Sequence, residues 1–284
     1  MAIKLKLPDR LFRWRKGTVI PALRLSGVIG SLPLRGAGLT LSSLEKQIEA
    51  LFADKNAPAA VLLLNSPGGS PVQSSLIAQR VRALSAEKKR PVIAFVEDVA
   101  ASGGYWLACA ADEVFAHATS IVGSIGVISQ SFGLEGLLQR IGVERRLYTA
   151  GDAKSRLDPF LPEKPEDVVW LRGLQDQLHE MFRDWVVERR GDRLATDTEL
   201  FNGEVWTGAR ALELGLVDGL GTARSVLTER FPDAELVPVE GRRPLLARLG
   251  IGAAPAAFKP VPADLVMQFA QAAEIRAAWA RYGL

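Results

Sequence analysis

Three loops in this sequence carry residue types that could perform acyl transfer. Ser102 follows the apolar run of residues 91–96 and precedes two glycines, which predicts a sharp turn between a strand and a helix. A hydroxyl at such a turn is accessible and lies near a helix N-terminus, where negative charge is favoured. Gly68 and Gly69 follow a second apolar run and could present backbone amides to an oxyanion, and Lys154 lies in a third loop.

A nucleophilic serine requires a base, because its hydroxyl is barely acidic. The two histidines are poor candidates, since His117 ends a short predicted strand and His179 lies one position off the apolar stripe of a predicted helix. A neutral lysine can replace histidine, and burial favours the neutral form. The residues alone do not separate Lys154 from the other lysines, and Ser102 could instead be a helix N-cap whose neighbouring glycines serve packing.

The composition excludes several classes of protein. The chain has 284 residues, of which 48% are hydrophobic and 24% charged, so it can bury a large core and is not disordered as a whole. Its 35 basic and 32 acidic residues nearly cancel, and we find no basic tract with interleaved aromatics, so we expect no nucleic-acid partner. The single cysteine, Cys109, excludes an intramolecular disulfide and a Cys-rich metal site. Two histidines argue against a His-based zinc site.

The N-terminal residues 1–17 form a basic arm that also contains Phe12 and Trp14. No apolar segment there resembles a signal peptide, and no run of about 18 apolar residues predicts a transmembrane helix. The arm could contact an anionic membrane surface, although Pro8 interrupts any helix and favours a solvated arm or an oligomer contact. We therefore expect a location in the cytoplasm or peripheral to the inner face of the membrane.

The elements that position the three loops alternate along the chain. Apolar runs at 59–64 and 91–96 are typical of strands covered on both faces. Further strands are predicted at 18–29, 113–116 and 144–149, and helices at 40–54, 72–85, 102–111, 134–141, 166–190, 207–214 and 222–231. This rhythm predicts an α/β fold with a mainly parallel sheet and flanking helices. Ligands of such sheets bind beyond the carboxyl ends of the strands, where the loops 65–70 and 99–104 lie.

We divide the chain into three parts. Residues 1–17 are the basic arm, and residues 18–240 form one domain that contains all three loops. Residues 241–284 are an Ala/Pro-rich extension, in which residues 262–282 predict a terminal amphipathic helix. The helix predicted at 166–190 carries a long apolar stripe, which is more often a core or subunit-interface feature than a catalytic one.

Four segments occur in an order and at a spacing that resemble one family. They are LLLNSPGGS, VAASGGYW, SIVGSIGVI and GDAKSRLDPF, and the resemblance spans roughly residues 18–230. Together they resemble the signal peptide peptidase A (SppA) family, including its SohB group. The resemblance implies a ClpP/crotonase-like fold and cleavage of peptides by a Ser/Lys dyad, on peptides or on signal-peptide remnants.

The resemblance also implies a role for individual residues. Ser102 would be the nucleophile, Lys154 the general base, and Ser124 the hydrogen-bonding partner that orients the lysine. Gly68 and Gly103 would supply the oxyanion-hole amides. The reaction would proceed through an acyl-enzyme without metal or cofactor, on a peptide held by strand addition. Family members assemble into rings, so a homo-oligomer is implied here.

The sequence departs from the family in two features. Membrane-anchored members of the family carry an N-terminal transmembrane helix that is not predicted here, and the longest members have two peptidase units where this chain has one.

A crotonase-like acyl-CoA enzyme is an alternative function, although no Glu lies in an obvious loop to act as its acid or base. A catalytically silent scaffold of the same fold is another. The sequence also leaves open whether Ser102 and Lys154 meet within one chain or between two.

Overall fold

One mainly parallel sheet organises the residues that the computed structural model describes, which are 17–31, 38–239, 273 and 276–284. The strands are β1 (Thr18–Ser26), β2 (Ala60–Ser66), β3 (Val92–Ala101), β4 (Glu113–Ala116), β5 (Ile121–Gly123), β6 (Val205–Thr207), β7 (Gly219–Leu220) and β8 (Ala234–Pro238). The helices are α1 (Leu41–Leu51), α2 (Pro71–Lys88), α3 (Gly103–Ala108), α4 (Glu135–Arg140), α5 (Pro165–Arg190), α6 (Gly208–Glu213) and α7 (Ala223–Arg230). Among the strand pairs within these residues, β5 with β6 is antiparallel and the others are parallel.

Strand β3 lies at the centre of the sheet and bends along its length. The sheet order is β6-β5-β3-β2-β1-β8, and β4 pairs with the first half of β3 while β5 pairs with its last three residues. The register with β2 shifts between Leu64 and Ser66, because β3 has extra residues at this point. The end of β3 therefore pairs with β5 where its first half pairs with β4, and it delivers Ser102 to the loop that follows.

The core has two faces because β2 and β3 are apolar on both sides. Helices α1, α2 and α3 cover one face, where Ile48, Leu64 and Ile77 are fully buried. Helix α7 covers the other face, where Leu227 packs near Phe95. Burial of a large aliphatic side chain contributes about 1.5–3 kcal/mol, so this two-sided core fixes the strands on which the site depends.

The predicted α/β architecture with a mainly parallel sheet is confirmed, as are the strands at 59–64, 91–96 and 113–116. The strand predicted at 144–149 is wrong, because these residues have no regular structure and all of them are exposed. The segment includes the charged residues Glu144, Arg145 and Arg146, whose side chains form ion pairs instead of packing. Among the described residues, no helix combines the length and the apolar composition that a membrane span requires.

Two predictions concern residues that are largely not described. The basic arm lies outside the described residues except for Gly17, and so does most of the C-terminal extension. Of the terminal helix predicted at 262–282, residues 276–280 are helical.

Candidate active site

Ser102 occupies a strained turn between β3 and α3. Its φ of +51° and ψ of −122° lie in a backbone region that residues other than glycine rarely adopt. The residue is half-buried, and its hydroxyl makes no hydrogen bond within the described residues. The Ser102 amide donates to the carbonyl of Gly123 at 2.8 Å, and the Ser102 carbonyl accepts from Tyr105 and Trp106. The backbone is thus fixed on both sides of the residue while its hydroxyl stays free. We call residues 99–106 the nucleophile elbow.

The alternative role of Ser102 as a helix cap is not supported by this geometry. Thr40, Ser70, Thr207 and Thr222 precede other helices, and the hydroxyl of each accepts a hydrogen bond from a backbone amide of the first turn. Ser102 stands at the same position before α3, but its side chain makes no capping bond. The capping hydrogen bond of a serine N-cap normally contributes about 1 kcal/mol to stability, and Ser102 does not make this bond.

Glycines allow the elbow to press against the loop that follows β2. A Cβ atom on Gly68 would lie 2.8 Å from Ser102 Cβ, and one on Gly104 would lie 2.5 Å from the carbonyl oxygen of Ser66. A Cβ atom on Gly103 would collide with the Ser74 hydroxyl. At Gly68 and Gly104 the atoms that a Cβ would meet include backbone carbonyl oxygens, so a side chain is excluded there, whereas at Gly103 the Ser74 hydroxyl would have to move. The structure therefore brings together Gly68, Ser102 and Gly103, as predicted from the sequence.

The backbone amides at this contact include two, on different loops, for which no acceptor is found within the described part of the chain. One is Gly103 and the other is Gly69, whose nitrogen would lie 3.4 Å from a Cβ atom built on Gly103. The Gly68 amide instead donates to the hydroxyl of Ser66 at 3.2 Å. The Gly103 and Gly69 amides are therefore available to another acceptor, whereas the oxyanion-hole roles predicted for Gly68 and Gly103 stay predictions.

Ile29, Asn65 and Asp98 support this loop, and their role is not predicted from the sequence. Ile29 follows β1, donates its amide to the Gly68 carbonyl and accepts the Ser70 amide, both at 2.8 Å. Asn65 donates to Asp98 at 2.6 Å and so ties the loop to the bend of β3. No local pattern marks such contacts, because each partner is more than thirty residues away in the chain.

Ser124 lies directly after the glycine that accepts the Ser102 amide. It is buried, has a φ of +53°, and donates its amide to the Glu204 carbonyl at 2.7 Å. A Cβ atom on Gly123 would lie 2.7 Å from the Trp206 ring, so β5 and β6 hold this residue from the far side. The structure thus places Ser124 beside the nucleophile elbow, one residue after the end of the neighbouring strand β5.

Lys154 lies in a different environment. It belongs to a short 3-10 turn, Asp152–Ser155, and its side chain is exposed with no hydrogen bond or ion pair to any described residue. No residue from 126 to 166 is buried, and we call this stretch the lysine segment. The structure therefore does not join Lys154 to Ser102 or Ser124.

Backbone strain marks both parts of the predicted site. The described residues contain four non-glycine residues with positive φ, namely Lys89, Ser102, Ser124 and Leu157. Lys89 ends α2 in the left-handed conformation, which is common at helix ends. Ser102 and Ser124 are predicted site residues, and Leu157 lies three positions after Lys154. Such strain persists only where the surroundings enforce it, and it clusters at functional sites.

The other candidate groups have structural surroundings. His117 is exposed and contacts the Thr119 hydroxyl at 2.8 Å, and His179 lies within α5; neither bonds to Ser102. Burial raises the pKa of Cys109 to about 12, so it is an inert thiol. The described residues contain no group of three or more His, Cys, Asp or Glu side chains placed to hold a metal ion.

Comparison with known proteins identifies relatives of this chain. A family model described as Peptidase family S49 matches residues 85–236, more than half of the chain. A protein of Brucella abortus (strain 2308) named Na(+)/H(+) antiporter NhaA is 50% identical over 274 residues, which cover 94% of this chain and 37% of that protein. The chloroplastic serine protease SPPA of Arabidopsis thaliana is 33% identical over 198 residues, 69% of this chain and 29% of that protein.

The chain spans about a third of the length of these two relatives. Among solved structures, a mutant of the 1510-N membrane-bound stomatin-specific protease in complex with a substrate peptide aligns with a TM-score of 0.44 at 15% identity. That alignment covers 84% of this chain and 98% of the other.

Proposed function

The chain belongs to peptidase family S49, and from this premise we propose that it is a serine peptidase with Ser102 as its nucleophile. The observation that carries the proposal is the nucleophile elbow. Its serine is strained, makes no capping bond, and lies beside two backbone amides that have no acceptor among the residues that the structure describes. The mainly parallel sheet with flanking helices is the ClpP/crotonase-like fold that the family resemblance implies.

The proposed reaction begins with attack of the Ser102 hydroxyl oxygen on a peptide carbonyl. Neutral Lys154 takes the hydroxyl proton, a C–O bond forms, and the carbonyl oxygen becomes an oxyanion. The Gly103 amide and the Gly68–Gly69 turn receive this charge; each preorganised donor contributes about 3 kcal/mol in comparable enzymes. The Gly69 amide is free for this role, whereas the Gly68 amide must first leave the Ser66 hydroxyl.

Collapse of this intermediate breaks the C–N bond. The lysine ammonium returns its proton to the leaving amine, and the substrate's acyl group remains on Ser102. Lys154 then takes a proton from water as the water oxygen attacks the acyl carbon. The C–O bond to Ser102 breaks, the lysine ammonium gives its proton to the Ser102 oxygen, and the peptide's new carboxyl end is released. We propose peptides, including signal-peptide remnants, as the substrates, held as an added strand beside the elbow. Ser124 would hydrogen-bond the lysine and hold it toward Ser102.

A lysine base must be neutral to act, and removal from water promotes the neutral form. Lys154 is exposed in the single chain, as are large apolar side chains along the lysine segment and the first two-thirds of α5. These are Ile128, Phe132, Leu137, Ile141, Val143, Leu147, Tyr148, Val169, Trp170, Leu174 and Met181. Apolar surface of this extent marks an interaction site. We propose that a second copy of the chain covers it in a homo-oligomer and dries the lysine.

The antiporter name of the Brucella relative is not carried over to this chain. The match covers 37% of that protein, and the same region of this chain matches the peptidase family model. Contact of the basic arm with a membrane also stays a prediction, and sedimentation with vesicles of anionic lipid tests it.

Active-site labelling tests the peptidase proposal. A fluorophosphonate probe should modify Ser102 of the folded protein at pH 8–9, as mapped by mass spectrometry, and Lys154→Ala should abolish the labelling without changing the circular dichroism spectrum. Labelling should rise with pH as the lysine loses its proton. An unlabelled Ser102 in the folded wild type would refute the proposal, and it would favour a silent scaffold or an acyl-CoA enzyme.

Mixing inactive chains tests the arrangement of the dyad. If the dyad forms between copies, chains with Ser102→Ala and chains with Lys154→Ala should regain peptidase activity when they are mixed and reassembled. If it forms within one chain, the mixture stays inactive. Sedimentation velocity tests the oligomer itself, since Phe132→Ser combined with Tyr148→Ser should shift the wild-type assembly toward monomer, and an unchanged assembly would contradict the proposed interface.

A further inference from the structure

The loop that carries Lys154 is not held by packing. It lies in the lysine segment, where no residue is buried, and it borders a cavity of about 310 Å³ that it shares with α4 and the start of α5. Close-packed side chains normally fix a catalytic group, and this loop lacks them. Ion pairs hold it instead, together with a backbone hydrogen bond from the Leu134 amide to the Pro159 carbonyl at 2.6 Å.

The first ion pair joins the loop to the chain that precedes it. Arg145 pairs with Asp158, whose side chain is only 10% exposed, and the Arg145 guanidinium lies 4.8 Å from the centre of the Phe160 ring. Asp158 also accepts the Phe160 amide at 3.0 Å. The hydrogen bond from Arg145, with that of the Phe160 amide, lowers the pKa of Asp158, so the carboxylate stays charged.

The second ion pair joins the loop to the first turn of α5. Arg156, two residues after Lys154, pairs with Asp167 at 3.1 Å, and the Asp167 side chain is again only 10% exposed. The Arg156 guanidinium also lies 5.1 Å from the centre of the Trp170 ring. Two ion pairs with aspartates that are largely removed from water thus hold the loop, through Arg156 and Asp158 on the two sides of the strained Leu157.

The other end of α5 is anchored to the helix of the nucleophile elbow. Phe182 is buried and stacks on Trp106 with 4.9 Å between ring centres, and the Trp185 indole donates to the Trp106 carbonyl at 3.1 Å. Arg189 donates to the carbonyl of Cys109 at 2.9 Å, near the end of α3. One helix therefore connects the support of the Lys154 loop to α3, which begins directly after Ser102.

We propose that Asp158 and Asp167 are positioning residues that set the place of Lys154 in the dyad. This inference rests on the proposed function, in which Lys154 is the base. The Arg145–Asp158 and Arg156–Asp167 pairs fix the loop on both sides of Leu157, three residues from Lys154, and α5 relates the second pair to α3. Removing either aspartate frees the loop without touching Ser102 or the amides beside it.

Steady-state kinetics of Asp158→Asn and Asp167→Asn test the proposal on the assembled full chain. The turnover number should fall about tenfold while KM stays within about twofold, because the base is misplaced but substrate binding is kept. The acid limb of the pH profile of kcat should move to higher pH, since a freed lysine is better hydrated and keeps its proton longer. Arg156→Lys, which keeps the charge but not the flat guanidinium, should retain more activity than Asp167→Asn.

Glu144→Gln is the matched control, because Glu144 pairs with Arg146 in the same segment but both side chains are at least 70% exposed. It should change neither kcat nor the pH profile. Because both aspartates are largely removed from water, the variants are compared with the wild type at a temperature where circular dichroism shows each to be folded and sedimentation velocity shows the same oligomer size. An unchanged kcat, or a loss of kcat with an unmoved acid limb, would overturn the positioning role. If the wild type itself neither labels at Ser102 nor cleaves peptides, the proposed function fails, and the positioning role fails with it.

Discussion

The nucleophile elbow and the lysine segment hold the two halves of the proposed dyad by opposite physical means. The elbow is fixed by backbone hydrogen bonds and by glycines that allow contacts closer than any side chain permits. The lysine segment buries no residue and depends on ion pairs between partly exposed arginines and aspartates that are largely removed from water. In the proposed dyad the nucleophile is therefore preorganised in the single chain, whereas the surroundings of the base are completed by the proposed second copy of the chain. The predictions below test that contrast.

The largest effect is expected from a methyl group added to the elbow. Gly104→Ala would place a Cβ atom 2.5 Å from the Ser66 carbonyl oxygen, a backbone atom that cannot move without disturbing β2. We expect a loss of more than about 3 kcal/mol in the free energy of unfolding, together with loss of Ser102 labelling. Denaturant unfolding measures the first and a fluorophosphonate probe the second.

The lysine segment offers the control for this substitution. Gly133 has no atom within 4 Å of a Cβ built on it, so Gly133→Ala should change the free energy of unfolding by less than about 0.5 kcal/mol. Equal losses from the two alanines would show that the segments are packed alike and would remove the contrast.

The next effect concerns a buried ion pair in the body of the protein. Arg190 is buried and donates to Asp218 at 2.7 Å, and Asp218 also accepts the Val114 amide at 2.7 Å. Asp218→Asn leaves the buried guanidinium without a countercharge, and we expect a loss of about 3 kcal/mol at pH 7. The exposed Glu144–Arg146 pair is the comparison, and Glu144→Gln should cost less than about 0.5 kcal/mol.

The same pair predicts a dependence on pH. Burial opposes ionisation of Asp218, but the hydrogen bonds from Arg190 and Val114 and the charges of Arg190 and Arg193 outweigh it and lower its pKa. The native state therefore binds this proton less readily than the unfolded chain. The stabilisation is complete above the ordinary aspartate pKa of about 4 and is lost as pH falls through the lowered one. Unfolding at pH 7 and pH 3 should show the Asp218→Asn deficit shrinking in acid, and a constant deficit would contradict this origin.

The elbow could be predicted from the sequence because its signals are local. An apolar run, a serine and two glycines are adjacent in the chain, and the strand, the turn and α3 follow in that order. The contact of Gly68 with Ser102 could also be predicted, because parallel strands present their carboxyl ends at one edge. The hydrogen bonds of Ile29 that support the loop could not be predicted, since their partners are set by the sheet and leave no mark in the local sequence pattern.

The lysine segment was harder to predict for a related reason. Its apolar residues suggested a strand at 144–149, but a strand needs a partner edge, and none of the described strands pairs with this stretch. Its position depends on Asp158 and Asp167, which reach arginines eleven or more residues away in the chain. The resemblance to a family supplied the role of Lys154, whereas the geometry around it came from the structure.

The smallest expected effect lies on the exposed part of α5. Gly173 is in the interior of this helix, and a Cβ atom built on it meets no atom within 4 Å. Alanine restricts the unfolded chain more than glycine does, so Gly173→Ala should raise the free energy of unfolding by about 0.5–1 kcal/mol. Unfolding at a concentration where the chain is monomeric measures this gain. A loss instead would mean that α5 is already closely covered in the single chain, and the contrast between a packed elbow and an uncovered lysine segment would not extend to the helix that connects them.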